Sequence, residues 1–257
     1  MIHIPAGHVG FPLGLAFGSK KYKVNLIDTN KNNLNKIKSG LPPFYEIGSQ
    51  KILKKCLKKN ALFFSNDLKT VKTSKFIIIC IGTPINKKLK PEIKYFLSLF
   101  YKLSKIISKN QILIVRSSVY PGVIKKILTI LKKNSNNIVY CPERIVQSKA
   151  LIELPKLPQV ISGFDKKSVK EVSKLFKNIC NKIIISSIQE AELIKLFSNA
   201  NRYINFAIAN QLYIMCEKYH VDFDRIRKMM KLGYERNLNL PSSGFTAGPC
   251  LLKDTMQ

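Results

Sequence analysis

The sequence predicts an α/β protein: a doubly wound parallel sheet with helices on both faces, followed by a region dominated by one long helix. Three observations carry this expectation. Short β-branched runs alternate with longer, Lys-rich segments of helical period. Most of the runs are apolar throughout rather than alternating, which fits strands covered on both faces, as in a parallel sheet. After Ser186 the alternation stops, and about thirty residues follow without a Gly or Pro to break a helix.

The expected strands are, in order, Ile2–Ile4, Val24–Ile27, Phe76–Ile81, Ile112–Val115, Ile138–Tyr140, Val160–Ser162 and Ile183–Ser186. The stretch "EAELIKLFSNANRYINFAIANQLYIMCEKYH" reads as one helix of roughly 45 Å. Its apolar residues Leu193, Leu196, Phe197, Ala200, Ile204, Ala207 and Ile208 mark the side expected to face the core. A shorter helix over Phe223 to Lys231 follows, with Asp222 placed to cap it. The organisation expected is a first domain over residues 1–186 and a second beginning at 187 and running to 257.

Composition narrows the class. Nearly half the residues are apolar, so the chain can build a core, and the formal charge is +29. That charge is mostly lysine in scattered pairs such as Lys20-Lys21 and Lys87-Lys88, a distribution of solvated faces rather than a nucleic-acid stripe. A basic nucleic-acid-binding α/β protein stays as an alternative, but no recognition motif supports it. The six cysteines show neither CxxC pairing nor zinc spacing, and no metal site is expected. Cys80 and Cys216 lie in apolar runs and read as small core residues. The apolar N-terminal stretch "VGFPLGLAFG" has no basic region before it and is broken by Gly and Pro, and no run reaches membrane-spanning length. A reducing, cytoplasmic setting is the default.

The first strand leads into "PAGHVG", with Gly7 and Gly10 at the spacing of a dinucleotide-binding turn. Such a turn lets the backbone approach a diphosphate, and the helix behind it offers N–H groups and a positive dipole end. The first glycine of the pattern is replaced by Pro5. Asp28 ends the second strand, where an acid can hold both hydroxyls of an adenosine ribose, favouring NAD over NADP. The alternative is a packed strand–helix turn with an ordinary loop acid. Later strands end in Gly82-Thr83-Pro84 and in Ser117-Ser118, at the carboxyl ends where open α/β sheets bind ligands.

Two further groups stand out. "YCPER" puts Glu143 and Arg144 just past a strand. In the long helix Glu192, Lys195, Asn199 and Arg202 are spaced to share one face, which reads either as a solvated stripe or as a functional one. An Asn in mid-helix is a poor choice unless its side chain does something. Near the end, "SGFTAGPCLLKD" delivers Cys250 from a glycine-rich turn, with Lys253 and Asp254 directly after it.

"GHVGFPLGLAF", "CIGTP", "SSVYPG", "CPER", "AELIKLFSNANRYINFAIANQ" and "GFTAGPCLLKD" stand together in the order seen in the UDP-glucose/GDP-mannose dehydrogenase family. The chain resembles that family over nearly its whole length, and its UDP-N-acetyl-mannosamine and UDP-N-acetyl-glucosamine dehydrogenase branch most. The resemblance implies a Rossmann-like NAD-binding domain and the start of a central helical dimerisation domain. It implies twofold oxidation of a UDP-sugar C6 alcohol to a carboxylate, with two NAD used in turn. Cys250 would be the nucleophile, carrying a thiohemiacetal and then a thioester. Lys195 and Asn199 would stabilise the oxyanion. Asp254 would handle protons, and Glu143 would position or activate the hydrolytic water. Gly7, His8, Val9, Gly10, Asp28, Thr83, Ser118 and Lys253 would face NAD, with Ser118 also holding a water. Glu143, Arg144, Lys195, Asn199, Arg202, Gly244 and Gly248 would face the sugar nucleotide.

Several features depart from the family pattern. Pro5 stands for a glycine, Gln147 for a Glu near the cofactor and Ser148 for a glycine. Family members continue beyond the "KD" motif into the rest of the central domain and a C-terminal UDP-binding domain. The chain is therefore expected to be a C-terminally truncated form, a homodimer through its long helix only where the rest is supplied. The alternative is an inactive, NAD-binding or merely dimerising remnant. In either case apolar surface on the long helix should be uncovered.

Overall fold

The apolar runs do form strands, and their order is that of a doubly wound sheet. The structure, a computed structural model, describes residues 1–83, 86, 92–131, 137–245 and 254–255. Its sheet has eight strands: β1 Ile2–Pro5, β2 Val24–Ile27, β3 Leu62–Ser65, β4 Phe76–Ile79, β5 Ile112–Val115, β6 Ile138–Tyr140, β7 Gln159–Gly163 and β8 Ile183–Ile185. They are arranged β3-β2-β1-β4-β5-β6-β7-β8. The helices are α1 Gly10–Ser19, α2 Lys31–Lys38, α3 Ser49–Lys58, α4 Ile93–Ser104, α5 Val123–Leu131, α6 Ala150–Glu153, α7 Lys166–Phe176, α8 Ile188–Lys218 and α9 Phe223–Lys231. Chain order moves outward from β1 to β3, then crosses to β4 on the other side. The carboxyl ends of β1 and β4 are thus the switch point where such sheets bind ligands.

Two expectations need correction. β3 was not foreseen; "LFFS" pairs in parallel with β2, with Leu62 opposite Val24 and Ser65 opposite Ile27. The sheet is also not wholly parallel. β7 runs antiparallel to β6, with Tyr140 opposite Ser162, while β8 is parallel to β7. A parallel return needs a crossover that carries the chain back to the other end of the sheet, usually a full helix. The segment between β6 and β7 holds only the single-turn α6, so the chain re-enters from the end at which it left.

Burial follows the apolar pattern. β5 is buried along its whole length, and α1 buries Phe11, Leu13, Leu15 and Phe17. Phe17 meets the Phe176 ring edge-on at 5.6 Å, joining α1 to α7. Each fully buried side chain of this size contributes about 1.5–3 kcal/mol by leaving water.

The chain separates into two compact units, one of residues 1–84 and 92–193, the other including everything from Ile194. In the second unit α8 continues as a single 31-residue helix, and Asp222 caps α9 by accepting the N–H groups of Asp224 and Arg225 at 2.8 and 3.3 Å. Much of the apolar side of α8 expected to face the core is exposed, which is the uncovered apolar surface expected of this helix. Leu196 is buried, but Phe197 is 64% exposed, Ile204 55% and Ile208 47%, and Ala207 is exposed as well. The buried positions include Glu192 and Asn199. Those polar side chains have partners that make their burial tolerable. Cys80 and Cys216 are only partly buried as residues.

Candidate active site

The fingerprint turn survives its proline. β1 runs through Pro5, which lies opposite Ile27, and the next N–H, of Ala6, donates to the Ile27 carbonyl at 2.8 Å. Pro5 removes a donor, yet the ladder continues one residue later. Gly10 is obligatory, since a Cβ there would lie 1.7 Å from the Pro5 carbonyl oxygen. Gly7 faces open space, with nothing within 4 Å of where a Cβ would stand. The N-terminus of α1 has no side-chain cap from Val9 and no acid in its first turn. These features fit a bound diphosphate, which needs close backbone approach and a free positive helix end. His8 is exposed, with its ring centroid 4.0 Å from that of Phe44.

Asp28 lies just past β2 and is partly exposed; its Oδ1 accepts the Asn30 N–H at 2.9 Å. Thr83, after β4, is buried and donates its hydroxyl to the Ser118 carbonyl at 2.6 Å. The ends of β4 and β5 are joined there, with the Ser118 residue partly exposed. Ser148 adopts a φ of +70°, which accounts for a glycine at that position in the family pattern. Its carbonyl accepts the Ile47 N–H at 3.0 Å.

Glu143 sits in a network that the sequence does not announce. Arg116, at the end of β5, is 1% exposed and pairs with Glu143 Oε2, while its other terminal nitrogen donates to Gln159 Oε1 at 2.9 Å. The guanidinium also lies 5.0 Å from the Phe176 ring centroid. Burial, the largest single influence, would lower the Arg116 pKa; the surrounding groups, the Glu143 carboxylate foremost, together outweigh it and hold the guanidinium above its ordinary value. The second oxygen of Glu143 accepts the N–H groups of Arg144 and Ile145 at 2.8 and 3.0 Å. Arg144 in turn donates to the Pro158 carbonyl. Burial pushes the neighbouring Cys80 and Cys141 thiols up to about 12, so both are inert at neutral pH.

In the second unit Asn199 donates to Asp254 Oδ2 at 2.6 Å, and the Lys195 ammonium lies 3.9 Å from the same oxygen. Asn199 and Asp254 are both buried. The mid-helix Asn is therefore explained: it holds a carboxylate 55 residues away in sequence. Arg202 is exposed. Gly244 has a φ of +138°, and Asn210 grips it from both sides, donating to its carbonyl at 3.0 Å and accepting its N–H at 2.8 Å. Cys250, Gly248 and Lys253 lie outside the described residues. Glu192 belongs to the first unit, and its carboxylate accepts the N–H groups of Gly122 and Ile124 at 2.8 and 3.1 Å.

Sequence reasoning missed Arg116, Gln159 and Asn210. An arginine directly after an apolar strand was the one available signal for the first. Among the described residues there is no cluster of His, Cys, Asp and Glu that could hold a metal. A cavity of about 590 Å³ lies at the opposite ends of the strands, beside Lys75, Gln111 and Asn137. It is remote from the strand ends described above, and Lys72, Lys75, Lys109 and Lys167 are among its lining residues. No helix among the described residues is long and apolar enough to cross a membrane.

Comparison with known proteins agrees with this geometry. Residues 2–180 match the UDP-glucose/GDP-mannose dehydrogenase family, NAD binding domain, and residues 189–257 match the family's central domain. A UDP-N-acetyl-D-mannosamine dehydrogenase of Pyrococcus horikoshii is 24% identical over 256 residues, covering 96% of this chain and 61% of its own length. The protein CapL of Staphylococcus aureus is 27% identical, covering 95% and 58%. The solved UDP-D-ManNAc dehydrogenase structure from Pyrococcus horikoshii superposes with a TM-score of 0.91 at 23% identity, over 99% of this chain and 63% of that one. A ternary complex of GDP-mannose dehydrogenase from Pseudomonas aeruginosa gives 0.84 at 22%, over 93% and 58%. The chain thus spans about three fifths of the length of these relatives. With a parallel switch point, an open fingerprint turn and both domain matches in register, the chain belongs to the UDP-glucose/GDP-mannose dehydrogenase family.

Proposed function

We propose that this chain carries the NAD-binding half and the catalytic helix of a nucleotide-sugar 6-dehydrogenase acting on a UDP-N-acetylhexosamine. The observation that carries the reading is the grouping of Lys195, Asn199 and Asp254, four residues beyond Cys250 in sequence. NAD, when bound, accepts hydride from the sugar C6 in each of two rounds. In the first round the alcohol loses a hydride and a proton to give the aldehyde. The Cys250 thiolate then adds to that carbon, and the resulting oxyanion is neutralised by the Lys195 ammonium and the Asn199 amide. Loss of a second hydride leaves a thioester on Cys250. Water cleaves it to the carboxylate and restores the thiol. Asp254, oriented by Asn199 and next to Lys195, is the carboxylate suited to passing protons in these steps. Glu143 serves as an anchor for the loop after β6, because both its oxygens are already engaged.

On the cofactor side, Gly7, His8, Val9 and Gly10 receive the diphosphate, Asp28 takes the ribose hydroxyls, and Thr83 and Ser118 line the strand ends. Arg144, Arg202, Gly244, Gly248 and Lys253 remain assigned to substrate or cofactor by motif position. The exposed apolar stripe of α8 supports the proposal that this helix is a subunit contact in the complete assembly. The same stripe favours a second reading, an inactive NAD-binding or dimerising remnant, because in this chain nothing covers it among the described residues.

NADH absorbance distinguishes the two. The chain is mixed with NAD and UDP-N-acetyl sugars, alone and with a polypeptide supplying the family's remaining C-terminal part. The proposal expects turnover in the complemented mixture and its loss, by a factor of about 10³ or more, in Cys250→Ala. NADH binding without turnover in any mixture establishes the remnant.

A further inference from the structure

We propose that Glu192 is a positioning residue for the cofactor: it fixes the Ser117–Gly122 loop, and with it Ser118, at the carboxyl end of β5. The inference rests on the reading that the first domain binds NAD.

Glu192 is 1% exposed, and a carboxylate taken out of water is costly unless every lone pair finds a donor. Here the cost is offset by the start of α5. Gly122 and Ile124 present N–H groups that have no partner within the helix, and the helix dipole favours negative charge at that point. α5 has no acidic residue in its own first turn. The cap comes instead from residue 192, 70 positions beyond Gly122 in sequence. A local Ser or Asp would satisfy the same amides. A distant carboxylate also fastens the loop that precedes α5 to the first turns of α8.

That loop is held at its other end as well, where the Thr83 hydroxyl binds the Ser118 carbonyl at 2.6 Å. Gly122 completes it with a φ of +89°. Ser118 therefore sits on a short span clamped at both ends, beside the switch point of the sheet. Two of the helices that begin at this end of the first unit's core, α1 and α5, differ in charge logic. α1 is open, with neither cap nor acid, and can take a diphosphate. α5 is filled by the chain's own carboxylate, which directs an anionic ligand to α1 and leaves the Ser118 loop to act through its shape.

The test is NADH binding to the intact chain, followed by nicotinamide fluorescence, with thermal melting in parallel. The variants are Glu192→Gln, Glu192→Ala and, as a control for stability alone, Ile127→Val in the buried face of α5. Glu192→Gln keeps one acceptor oxygen and serves if the alanine variant fails to fold. Loss of Glu192 should weaken NADH binding about tenfold, the effect of one charge-assisted hydrogen bond. Glu192→Gln should fall between it and wild type, and Ile127→Val should bind within about twofold of wild type, as expected of a site that keeps its geometry. Added sodium formate should recover part of the affinity of Glu192→Ala by filling the vacated carboxylate site. Amide hydrogen exchange at Gly122 and Ile124 should speed up in both Glu192 variants. Wild-type NADH affinity in Glu192→Ala or Glu192→Gln overturns the proposal, as does equal weakening in Ile127→Val. If the wild-type chain itself fails to bind NADH, the cofactor reading is lost; unchanged exchange at Gly122 and Ile124 would then overturn the positioning claim separately.

Discussion

His3 lies in β1 with 2% of its surface exposed, hydrogen-bonded at Nδ1 to the Asn25 amide and with no partner at Nε2. Burial lowers its pKa from 6.5 to about 4, so the folded chain holds it neutral where the unfolded chain would protonate it. The unfolded state therefore binds more protons below pH 6.5, and stability falls as pH drops from there towards 4. The full loss is about 3 kcal/mol from this residue. Urea denaturation at pH 7 and pH 5 should show the decline, and His3→Gln should remove most of its slope; an unchanged slope would assign it elsewhere. At this scale the sequence was only partly legible. Gly10, Asp222 and the paired Lys195 and Asn199 each carry a local or periodic signal. Arg116 carries almost none, because its partners Glu143 and Gln159 come from other elements and only folding brings them together.

Among elements, the strands were readable because full burial on both faces leaves an unbroken apolar run, as in "ILIV" of β5. β3 escaped because it is an edge strand with Phe63 turned outward, so its burial pattern is mixed. The reversal at β7 has no local signature at all; it follows from the shortness of α6. The uncovered apolar surface of α8 was legible, but which of its polar residues go inward was not. Apolarity alone does not decide burial on this helix: Glu192 and Asn199 go inward because specific donors and acceptors meet them. The α9 cap is a simpler case and gives a quantitative expectation. Asp222→Ala removes an acceptor from two N–H groups and should cost about 1 kcal/mol, measurable as a shift in the denaturation midpoint. A shift only in the slope of the transition would mean that α9 unfolds independently.

Considered as a whole molecule, the chain joins a self-contained cofactor domain to a helical unit whose apolar stripe is open in this chain. The first half was legible because doubly wound sheets obey strict rules of strand order and ligand placement. The second half was legible mainly through its motifs, since a long helix does not by itself declare what packs on it.

The far end of the sheet has a consequence for handling the protein. β8 is its last strand, made of three isoleucines, with Ile184 37% and Ile185 59% exposed and no further strand beside it among the described residues. Its outer row of backbone donors and acceptors can pair with the same row of another molecule, and no charged side chain within the strand obstructs the approach. Ile185→Lys should slow light-scattering growth in concentrated samples without moving the melting midpoint by more than about 2 °C. Unchanged scattering would shift the cause of self-association to the α8 stripe. The large positive charge then acquires a use independent of any ligand: mutual repulsion keeps chains with an open isoleucine edge apart, and added salt, by screening it, should bring them together.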